Sequence, residues 1–347
     1  MTKIRTALAG LGRIGWQFHL PQISRHENFE LTAAVDPVKE RLQEIAGAHP
    51  ECALFEEFDT MLKVSKPDLV VIASPTIFHE KQIIAAFRSG ADVFAEKPLT
   101  AEVAECENIL REMESSGRKL MVYQPRRLDA DARNAAGIIA SGILGKIHLI
   151  RRNISNYNRR NDWQAQNRFA GGMLNNYGVH YIDQICSVTN FDYRCEYCEL
   201  KRINSLGDAE DFVKVILSGN DGLTAEVEIS QSCAFPVNQW HIEGAYGTAR
   251  YSSETGSWQL RYLDPASLDD IELQNDLAAN GRLYPREKLD WKEDFALPAA
   301  ETEDFYDNLY HYLTGTGEPL VKVSESYAVI KLIDCARKLN AAKRSVE

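Results

Sequence analysis

The first 120 residues alternate between short apolar runs and segments with the spacing of amphipathic helices. The apolar runs are typical of buried strands, and they are KIRTALAGLG, FELTAAVDP, DLVVIASP, ADVFAEKP and KLMVYQP. The segments between them place apolar residues three or four positions apart, as in VKERLQEIAGAH, TIFHEKQIIAAFRSG and TAEVAECENILREMESSG. Nearly continuous apolar strands that alternate with helices predict an α/β fold, with a parallel sheet covered by helices on both faces.

The pattern changes after residue 125, where the helical segment RRLDADARNAAGIIASGILG precedes longer strands of mixed apolar and polar character. These strand segments are KIHLIRRNISNY, CEYCELKRINS, DFVKVILSG, LTAEVEISQSC and NQWHIEGAYGTARYSS, with a helical stretch near 172–190. Strands that follow one another without helices predict an open, mainly antiparallel sheet in an α+β domain. Two helical segments close the chain, EDFYDNLYHYLTG and VSESYAVIKLIDCARKLNAAKR, and the polar segment 264–298 is predicted to be a loop.

These patterns divide the chain into a first domain of residues 1–124 and a second domain of residues 125–347. The total length of 347 residues suits two domains of ordinary size. The position of the final helices stays open at this point, because they could belong to the second domain or pack back on the first.

Charge and composition exclude several classes of function. The formal net charge of -11 argues against nucleic-acid binding, which needs a basic surface. No stretch approaches the ~20 apolar residues of a membrane span, so we expect no membrane partner. Seven scattered cysteines favour reduced thiols and a cytoplasmic protein. Cys195 and Cys198 form a C-x-x-C pair without a second pair, so no metal site is predicted.

The hexapeptide GLGRIG fits the G-x-G-x-x-G pattern, and it follows a predicted strand and opens a predicted helix. In a dinucleotide-binding loop Gly10 makes the tight turn, Gly12 lets the backbone approach a pyrophosphate, and Gly15 lets the helix pack on the strand. The helix N-terminus offers N–H groups to the phosphates, so Arg13 and Ile14 are also predicted to contact the cofactor. A plain glycine-rich turn is the alternative, and the strand and helix around the loop favour dinucleotide binding.

Asp36 ends the second predicted strand, where a carboxylate can accept hydrogen bonds from both ribose hydroxyls and would repel a 2′-phosphate. This position predicts NAD as the cofactor. Lys39 and Arg41 follow closely, and their positive charges keep NADP possible.

Two further strand ends carry polar side chains or proline. Ser74 and Pro75 follow the DLVVIA strand, and Lys97 follows ADVFAE. Because the carboxyl ends of parallel strands meet at one edge of the sheet, we expect these residues to face the cofactor crevice. The Lys97 ammonium has three donors and a long reach, so it could bridge the cofactor ribose and a substrate hydroxyl.

The segment GGMLNNYGVHYIDQI places Asn176, His180 and Asp183 at positions i, i+4 and i+7 of a predicted helix. That spacing puts the three side chains on one helix face. An alcohol that is oxidised must lose a proton, and an imidazole is a suitable base. A histidine on a solvated face explains these residues equally well, so the pattern alone leaves the role of His180 open.

Four segments in combination resemble the glucose–fructose oxidoreductase, inositol dehydrogenase and MocA family: GLGRIG, SPTIFH, AEKPLT and GGMLNNYGVHYID. The similarity covers nearly the whole chain, including the closing segment DFYDNLYHYLTGTGEP. The resemblance implies an N-terminal Rossmann domain that binds NAD or NADP and a C-terminal domain with an open antiparallel sheet. It also implies a small polyhydroxylated substrate, such as a sugar or polyol, and a homodimer or homotetramer packed through that sheet.

The resemblance also assigns roles to individual residues. Lys97 matches the lysine of the family's E-K-P step, and His180 matches its catalytic histidine. Ser74, Pro75, His79 and Glu96 lie in the segments that bind the cofactor. We therefore expect His180 to exchange the proton with a sugar, polyol or sugar-acid hydroxyl, Lys97 to polarise the oxygen, and Asn176 to position both.

One residue departs from the family pattern, because many members have aspartate at the position of Asn176. A carboxylate there would raise the pKa of the histidine, whereas an amide orients the ring without adding charge. Asp183 could support His180 instead. The departure keeps two other hypotheses open: an NAD-retaining glycosidase or epimerase-like enzyme with transient oxidation, and a non-catalytic NAD-binding regulator.

The segment SNYNRRNDWQAQNRF, which precedes the histidine helix, supplies groups suited to a polyhydroxylated substrate. Indole faces stack on sugar rings, and guanidinium groups bind hydroxyls, carboxylates or phosphates. Each of these side chains could equally be solvated in a mobile loop. As a group with Asn176 and His180, the predicted substrate residues are Arg126, Tyr157, Trp163 and Arg168.

Overall fold

A computed structural model describes residues 3–273, 287–295 and 303–344. The first domain contains a parallel six-stranded sheet made of β1 (Ile4–Ala9), β2 (Phe29–Val35), β3 (Ala53–Phe55), β4 (Leu69–Ile72), β5 (Asp92–Glu96) and β6 (Leu120–Tyr123). Its strand order is β3-β2-β1-β4-β5-β6. The order reverses between β1 and β4, which opens a crevice at the carboxyl ends of these strands.

Helices cover both faces of this sheet, which explains why its strands are apolar throughout. They are α1 (Leu20–Arg25), α2 (Lys39–Ala48), α3 (Phe58–Ser65), α4 (His79–Ser89) and α5 (Val103–Ser116). All four residues of β4 are fully buried. The sequence pattern did not predict β3 and α3, because a three-residue edge strand and a short helix carry too few positions to show a period.

The second domain contains an eight-stranded sheet, mainly antiparallel as predicted. Its strands are β7 (Ile147–Ser155), β8 (Tyr193–Lys201), β9 (Phe212–Gly219), β10 (Thr224–Ser230), β11 (Trp240–Gly244), β12 (Gly247–Ser252), β13 (Ser257–Tyr262) and β14 (Lys292–Phe295). Their order is β14-β13-β12-β11-β7-β10-β9-β8, in which β7 and β10 are parallel neighbours. Side chains alternate along β9 and β10 between buried and half-buried positions, so one sheet face forms a core and the other stays open.

Part of the predicted loop 264–298 is a strand, which corrects that prediction. β14 pairs antiparallel with β13 at the edge of the second sheet. All four of its side chains are exposed, so backbone hydrogen bonds hold the strand in the sheet. The sequence therefore shows no alternation of apolar and polar residues that would predict this strand. Residues 274–286 and 296–298 of the same prediction lie outside the described residues.

The helices α6 (Ala130–Ser141), α7 (Val179–Val188), α8 (Phe305–Thr314) and α9 (Val323–Arg344) complete the fold. Apolar side chains of α6, α7 and α9 form the second core with the buried sheet face. Phe305 and Leu309 of α8 instead belong to the core of the first domain. The chain therefore returns to its first domain before it ends. Within the described residues, no helix is long and apolar enough to cross a membrane.

Arg127, in the turn between the domains, joins three parts of the fold. Its guanidinium donates two hydrogen bonds of 2.7 Å to the Asp183 carboxylate on α7. It also donates to the Glu325 carboxylate at 2.6 Å and to the Leu320 carbonyl at 3.0 Å. Arg127 and Asp183 are buried, with 11% and 2% of their side chains exposed. This ion pair fixes α7 against the last strand of the first sheet.

We expect Asp183→Asn to destabilise the protein by about 3 to 5 kcal/mol, because it leaves the buried Arg127 charge without its bidentate partner. Urea unfolding followed by tryptophan fluorescence measures the effect, since Trp240 and Trp258 are buried in the second core. The control is Glu56→Gln, which removes the partner of an exposed ion pair with Lys39 and should cost less than about 1 kcal/mol. Equal losses for the two variants would contradict the role of this ion pair.

Candidate active site

The GLGRIG loop has the backbone shape that a pyrophosphate needs. Gly10 has φ of 92°, and a Cβ there would lie 2.7 Å from the Ala73 backbone. A Cβ on Gly15 would lie 1.9 Å from the Gly10 carbonyl oxygen, so the helix can pack only on glycine. At Gly12, no atom of the described residues lies within 4 Å of an added Cβ. The loop is thus closed on its protein side and open at Gly12, which fits a dinucleotide cofactor.

Asp36 lies beside this loop at the end of β2. Its carboxylate accepts hydrogen bonds from the Leu11 N–H at 2.7 Å and the Val38 N–H at 2.9 Å. Arg41 lies 3.3 Å from the same carboxylate, whereas Lys39 pairs with Glu56 at 3.3 Å. The buried carboxylate is therefore held in one position, with a half-exposed guanidinium next to it. Arg13 is exposed and Ile14 half-buried in the loop itself.

Lys97 immediately follows β5, and the Lys97–Pro98 peptide bond is cis. Its ammonium donates a hydrogen bond of 3.1 Å to the Asn176 carbonyl, in the helical turn that leads to α7. The lysine from the first domain therefore reaches the predicted catalytic helix of the second.

Burial lowers the pKa of Lys97 to about 8, and Glu96 acts in the opposite direction. Further lowering comes from the positive charges of Arg126, Arg13 and Arg160. Since these arginines come from the phosphate loop, the domain junction and the predicted substrate loop, their charges converge on one crevice.

His180 lies near the start of α7, with 5% of its surface exposed. Its Nδ1 lies 3.0 Å from Oε1 of Gln124, which follows β6. An amide oxygen can only accept, so Nδ1 carries the proton and Nε2 carries the lone pair. Burial lowers the pKa of His180 well below its usual value, and the charges of Lys97 and Arg126 lower it further. The imidazole is thus held neutral in one tautomer, as a general base requires.

Asn176 and Asp183 do not share the surroundings of His180, although an unbroken helix would align them. A π-helical turn at Leu174–Gly178 precedes α7 and changes the spacing. The Asn176 amide exchanges hydrogen bonds of 3.2 and 3.4 Å with Gln164 of the substrate loop. Asp183 binds Arg127 instead of supporting His180. Asn176 therefore joins the substrate loop to the helix and meets Lys97 through its backbone.

Arg126 occupies the wall between the domains. Its guanidinium lies over the rings of Tyr177 and Tyr181, 5.5 and 6.0 Å from their centroids, and pairs with Asp129 at 3.3 Å. Because 36% of the side chain is exposed, it can meet a ligand. The charge that it contributes at His180 and Lys97 places it in the same crevice.

The other predicted substrate residues lie on the loop that precedes the catalytic helix. Trp163 and Tyr157 expose 42% and 64% of their surfaces. Arg168 packs over the Phe169 ring at 4.6 Å and donates to Gln166 at 2.9 Å. These contacts do not bring Tyr157 or Arg168 to Lys97 and His180. Their role as substrate residues stays a prediction.

Four of the predicted cofactor residues are Ser74, Pro75, His79 and Glu96. The side chains of His79 and Glu96 are buried inside the first domain. Both ring nitrogens of His79 lie within hydrogen-bond distance of backbone carbonyls, Nε2 at 2.9 Å from that of Ser74 and Nδ1 at 3.1 Å from those of Pro98 and Leu99. Glu96 faces a buried histidine at 3.1 Å. These contacts make His79 and Glu96 supports of the turn that carries Lys97. The Ser74 hydroxyl donates a hydrogen bond to the side-chain oxygen of Gln82. Pro75 has no polar side chain, so only its backbone carbonyl could bind a cofactor.

The C-x-x-C pair lies on β8, and both thiols are buried. Burial raises the pKa of Cys195 and Cys198 to about 12, so both stay as neutral thiols, which are poor metal ligands. Over the described ranges, no group of three or more His, Cys, Asp or Glu side chains could hold a metal ion.

Sequence reasoning missed Gln124 and Gln164. Gln124 follows the last strand of the parallel sheet, so the rule that located Ser74 and Lys97 applies to it equally. Gln164 carries no such signal, since its partner Asn176 comes close only after the substrate loop has folded onto the helix.

Comparisons with known proteins agree with this geometry. Residues 4–124 match the family model described as the GFO/IDH/MocA oxidoreductase family with an NAD-binding Rossmann fold. Residues 132–250 match the model of the GFO/IDH/MocA C-terminal domain.

Individual relatives extend along the chain to different degrees. An uncharacterized oxidoreductase of Schizosaccharomyces pombe is 25% identical over all of both chains. The scyllo-inositol 2-dehydrogenase (NADP(+)) of Bacillus subtilis is 26% identical over 52% of this chain and 50% of its own. Among solved structures, the WlbA dehydrogenase of Bordetella pertussis, in complex with NADH and UDP-GlcNAcA, superposes with a TM-score of 0.78. It is 22% identical, and the match covers 98% of this chain and 97% of that one.

The two family models together match more than half of the chain, on both of its domains. The first domain is accordingly an NAD-binding Rossmann domain, and the second carries the open, mainly antiparallel sheet of the family. The chain belongs to the GFO/IDH/MocA family of oxidoreductases.

Proposed function

We propose that this protein is an NAD-dependent dehydrogenase that oxidises a hydroxyl carbon of a sugar, polyol or sugar acid. One observation carries the proposal: the imidazole of His180 and the ammonium of Lys97 come from different domains and lie close enough for the lysine charge to act on the imidazole. Lys97 reaches the turn before α7, and its charge lowers the pKa of His180. A base beside a cationic donor is what alcohol oxidation needs.

His180 removes the proton from the substrate hydroxyl. Its Nδ1 proton is held by Gln124, so Nε2 presents the lone pair. When Nε2 takes up the proton, the imidazolium forms in a buried place beside two cations. Because burial and these two positive charges disfavour the imidazolium, His180 loses the proton again and returns to its neutral form.

Lys97 stabilises the negative charge that develops on the substrate oxygen. One of its three donors is used by the Asn176 carbonyl, which aims the ammonium at the crevice. A fixed charge in a buried site acts more strongly than the same charge in water.

The glycine loop and Asp36 hold the cofactor. Gly12 would give the pyrophosphate room, and the buried Asp36 carboxylate would accept hydrogen bonds from the adenosine ribose. A bound nicotinamide supplies the acceptor for the hydride that leaves the substrate carbon. Asp36 favours NAD, while Arg41 beside it leaves room for NADP.

The crevice suits a polyhydroxylated substrate that can carry an acidic group. Arg126 offers a partly exposed guanidinium, and Trp163 offers an exposed indole on the loop. The relative from Bacillus subtilis is named for an inositol, and the Bordetella pertussis structure contains a nucleotide sugar acid. We propose that the protein acts in the cytoplasm as a homodimer or homotetramer packed through the open sheet.

The first prediction concerns activity. With NAD and a panel of sugars, inositols and sugar acids, we expect NADH formation at 340 nm with one substrate class. Lys97→Ala and His180→Ala should each lower kcat by about 10²- to 10⁴-fold. Lys63→Ala, at an exposed residue, and His49→Ala, at a half-buried residue after α2, are matched controls in the first domain that should keep the rate. If no substrate of the panel yields NADH although the protein binds NAD, the result would favour the NAD-retaining enzyme with transient oxidation or the non-catalytic NAD-binding regulator instead.

The second prediction concerns pH. Lys97 acts as an ammonium, and its pKa is lowered to about 8, so kcat should fall as the pH rises through about 8. The pKa of His180 lies well below its usual value, so the base is still deprotonated below pH ~6.5 and no acidic loss appears there. Lys97→Arg keeps its charge at every pH used and should remove the alkaline loss from whatever activity remains. An alkaline loss that persists in Lys97→Arg would refute this assignment.

The third prediction concerns cofactor choice. Asp36→Ala removes the carboxylate that accepts from the ribose and leaves Arg41 without its partner. We expect the Kd for NAD to rise about 10-fold and the preference for NAD over NADP to shrink or reverse. Calorimetric titration with both cofactors measures this, and Glu56→Gln is the matched carboxylate control. An unchanged ratio of the two Kd values would rule out Asp36 as the selecting group.

A further inference from the structure

A buried chain of hydrogen bonds runs from α8 to the residue before Lys97. His19 lies at its centre, with 1% of its surface exposed. Its Nδ1 lies 2.8 Å from the Tyr306 hydroxyl, and its Nε2 lies 3.1 Å from Oε1 of Glu96. The second oxygen of Glu96 accepts a hydrogen bond of 3.1 Å from the Lys97 backbone N–H. Three parts of the chain that are distant in sequence therefore meet behind the lysine.

The chemistry of the two end groups sets the direction of these hydrogen bonds. Burial raises the pKa of Tyr306 well above its usual value, so its hydroxyl keeps the proton and donates to Nδ1. With Nδ1 as acceptor, the ring carries a proton on Nε2 and donates it to Glu96. Both Glu96 oxygens are then satisfied, one by an imidazole N–H and one by a backbone N–H.

The surroundings of His19 keep this arrangement rigid. The rings of Tyr123, Phe94 and Tyr306 lie 4.9, 5.8 and 6.2 Å from its centroid, and the Phe94 ring meets it edge-on at 84°. Such packing leaves the imidazole one orientation, and water has no ready access to it.

We propose that Tyr306, His19 and Glu96 form a relay that holds a fixed negative charge behind the Lys97 ammonium. They are positioning residues for Lys97, and this role rests on the dehydrogenase function proposed above. They do not meet the substrate, because Glu96 and His19 face the interior of the first domain. The crevice side of Lys97 carries positive charges, so the relay supplies the opposing charge that keeps the ammonium protonated near neutral pH.

Other titratable groups face this relay and Lys97. Around Lys97 they are Arg13, Arg126, Arg160 and His180, all on the crevice side. Around Glu96 they are Tyr123, Tyr306 and the buried His79, whose pKa is raised by the Glu96 charge and lowered more strongly by burial. Asp304 contributes at Tyr123 and Tyr306. The negative charge that acts on Lys97 itself is that of Glu96.

The experiment measures the titration of Lys97 directly and needs neither substrate nor cofactor. The full chain is labelled with ¹³C-lysine, and NMR spectra of the wild type and Lys97→Met are compared. The lysine Cε resonance that is missing from the variant belongs to Lys97, and its chemical shift is then measured as a function of pH. The wild-type midpoint should lie near 8. In Glu96→Gln, loss of the opposing charge should move the midpoint about one to two pH units lower.

Two variants at His19 separate the relay from simple packing. In His19→Phe the Glu96 carboxylate loses its imidazole donor and is no longer held behind the lysine, so the Lys97 midpoint should fall as it does in Glu96→Gln. His19→Gln retains an N–H donor and should return the midpoint towards the wild-type value. Tyr306→Phe should give a smaller shift in the same direction as His19→Phe.

The control is Glu80→Gln. Glu80 lies on α4 and accepts a hydrogen bond from Asn108 on α5, so its neutralisation should leave the Lys97 midpoint unchanged.

A Lys97 midpoint that is the same in wild type, Glu96→Gln and His19→Phe would overturn the relay. If Glu96→Gln does not fold, the Lys97 midpoints of His19→Phe and His19→Gln are compared instead, and equal midpoints in these two variants would overturn the relay. With a substrate in hand, the alkaline loss of kcat should shift in parallel with the Lys97 midpoint. Absence of turnover in the wild-type protein would count against the dehydrogenase and leave the titration result standing.

Discussion

The buried ion pair between Arg127 and Asp183 is the contact on which the active-site geometry depends. Charges are costly to bury, so two buried ionised groups accept few arrangements other than the one that satisfies both. By fixing α7 to the turn after β6, the pair brings His180 to Gln124 and the preceding turn to Lys97. The residues of the proposed site come from both domains, and the ion pair of Arg127 with Asp183 links the parts of the chain that carry them.

The same burial has opposite consequences for the two reactive groups. It lowers both the pKa of His180 and that of Lys97, because a low-dielectric crevice disfavours each positive charge. A neutral imidazole is the active form of a base, so burial alone prepares His180. A neutral lysine would be inactive as a charged donor, so Lys97 needs an opposing negative charge to remain useful near neutral pH.

Local features of the site could be predicted from the sequence, and tertiary ones could not. The GLGRIG loop, Asp36 and Lys97 lie where strand ends put them, because a run of apolar residues fixes those ends. Glu96 stays a predicted cofactor residue, and in the structure its carboxylate contacts His19 and the Lys97 backbone N–H, which the strand pattern does not reveal. The partners of Asn176 and His180 depend on a π-helical turn and a folded loop, which no periodicity reveals.

Asn176 explains why the charge behind Lys97 matters in this chain. A carboxylate at that position would add a negative charge to the turn whose backbone meets Lys97, and would favour the protonated lysine. The amide adds no charge, and its side chain holds Gln164 of the substrate loop instead. In the proposed relay the protonation of Lys97 relies on Glu96, on the opposite side of the strand end, and His19 and Tyr306 hold Glu96 in place there. The proposed control of the lysine charge thus lies in the core of the first domain rather than on the crevice side.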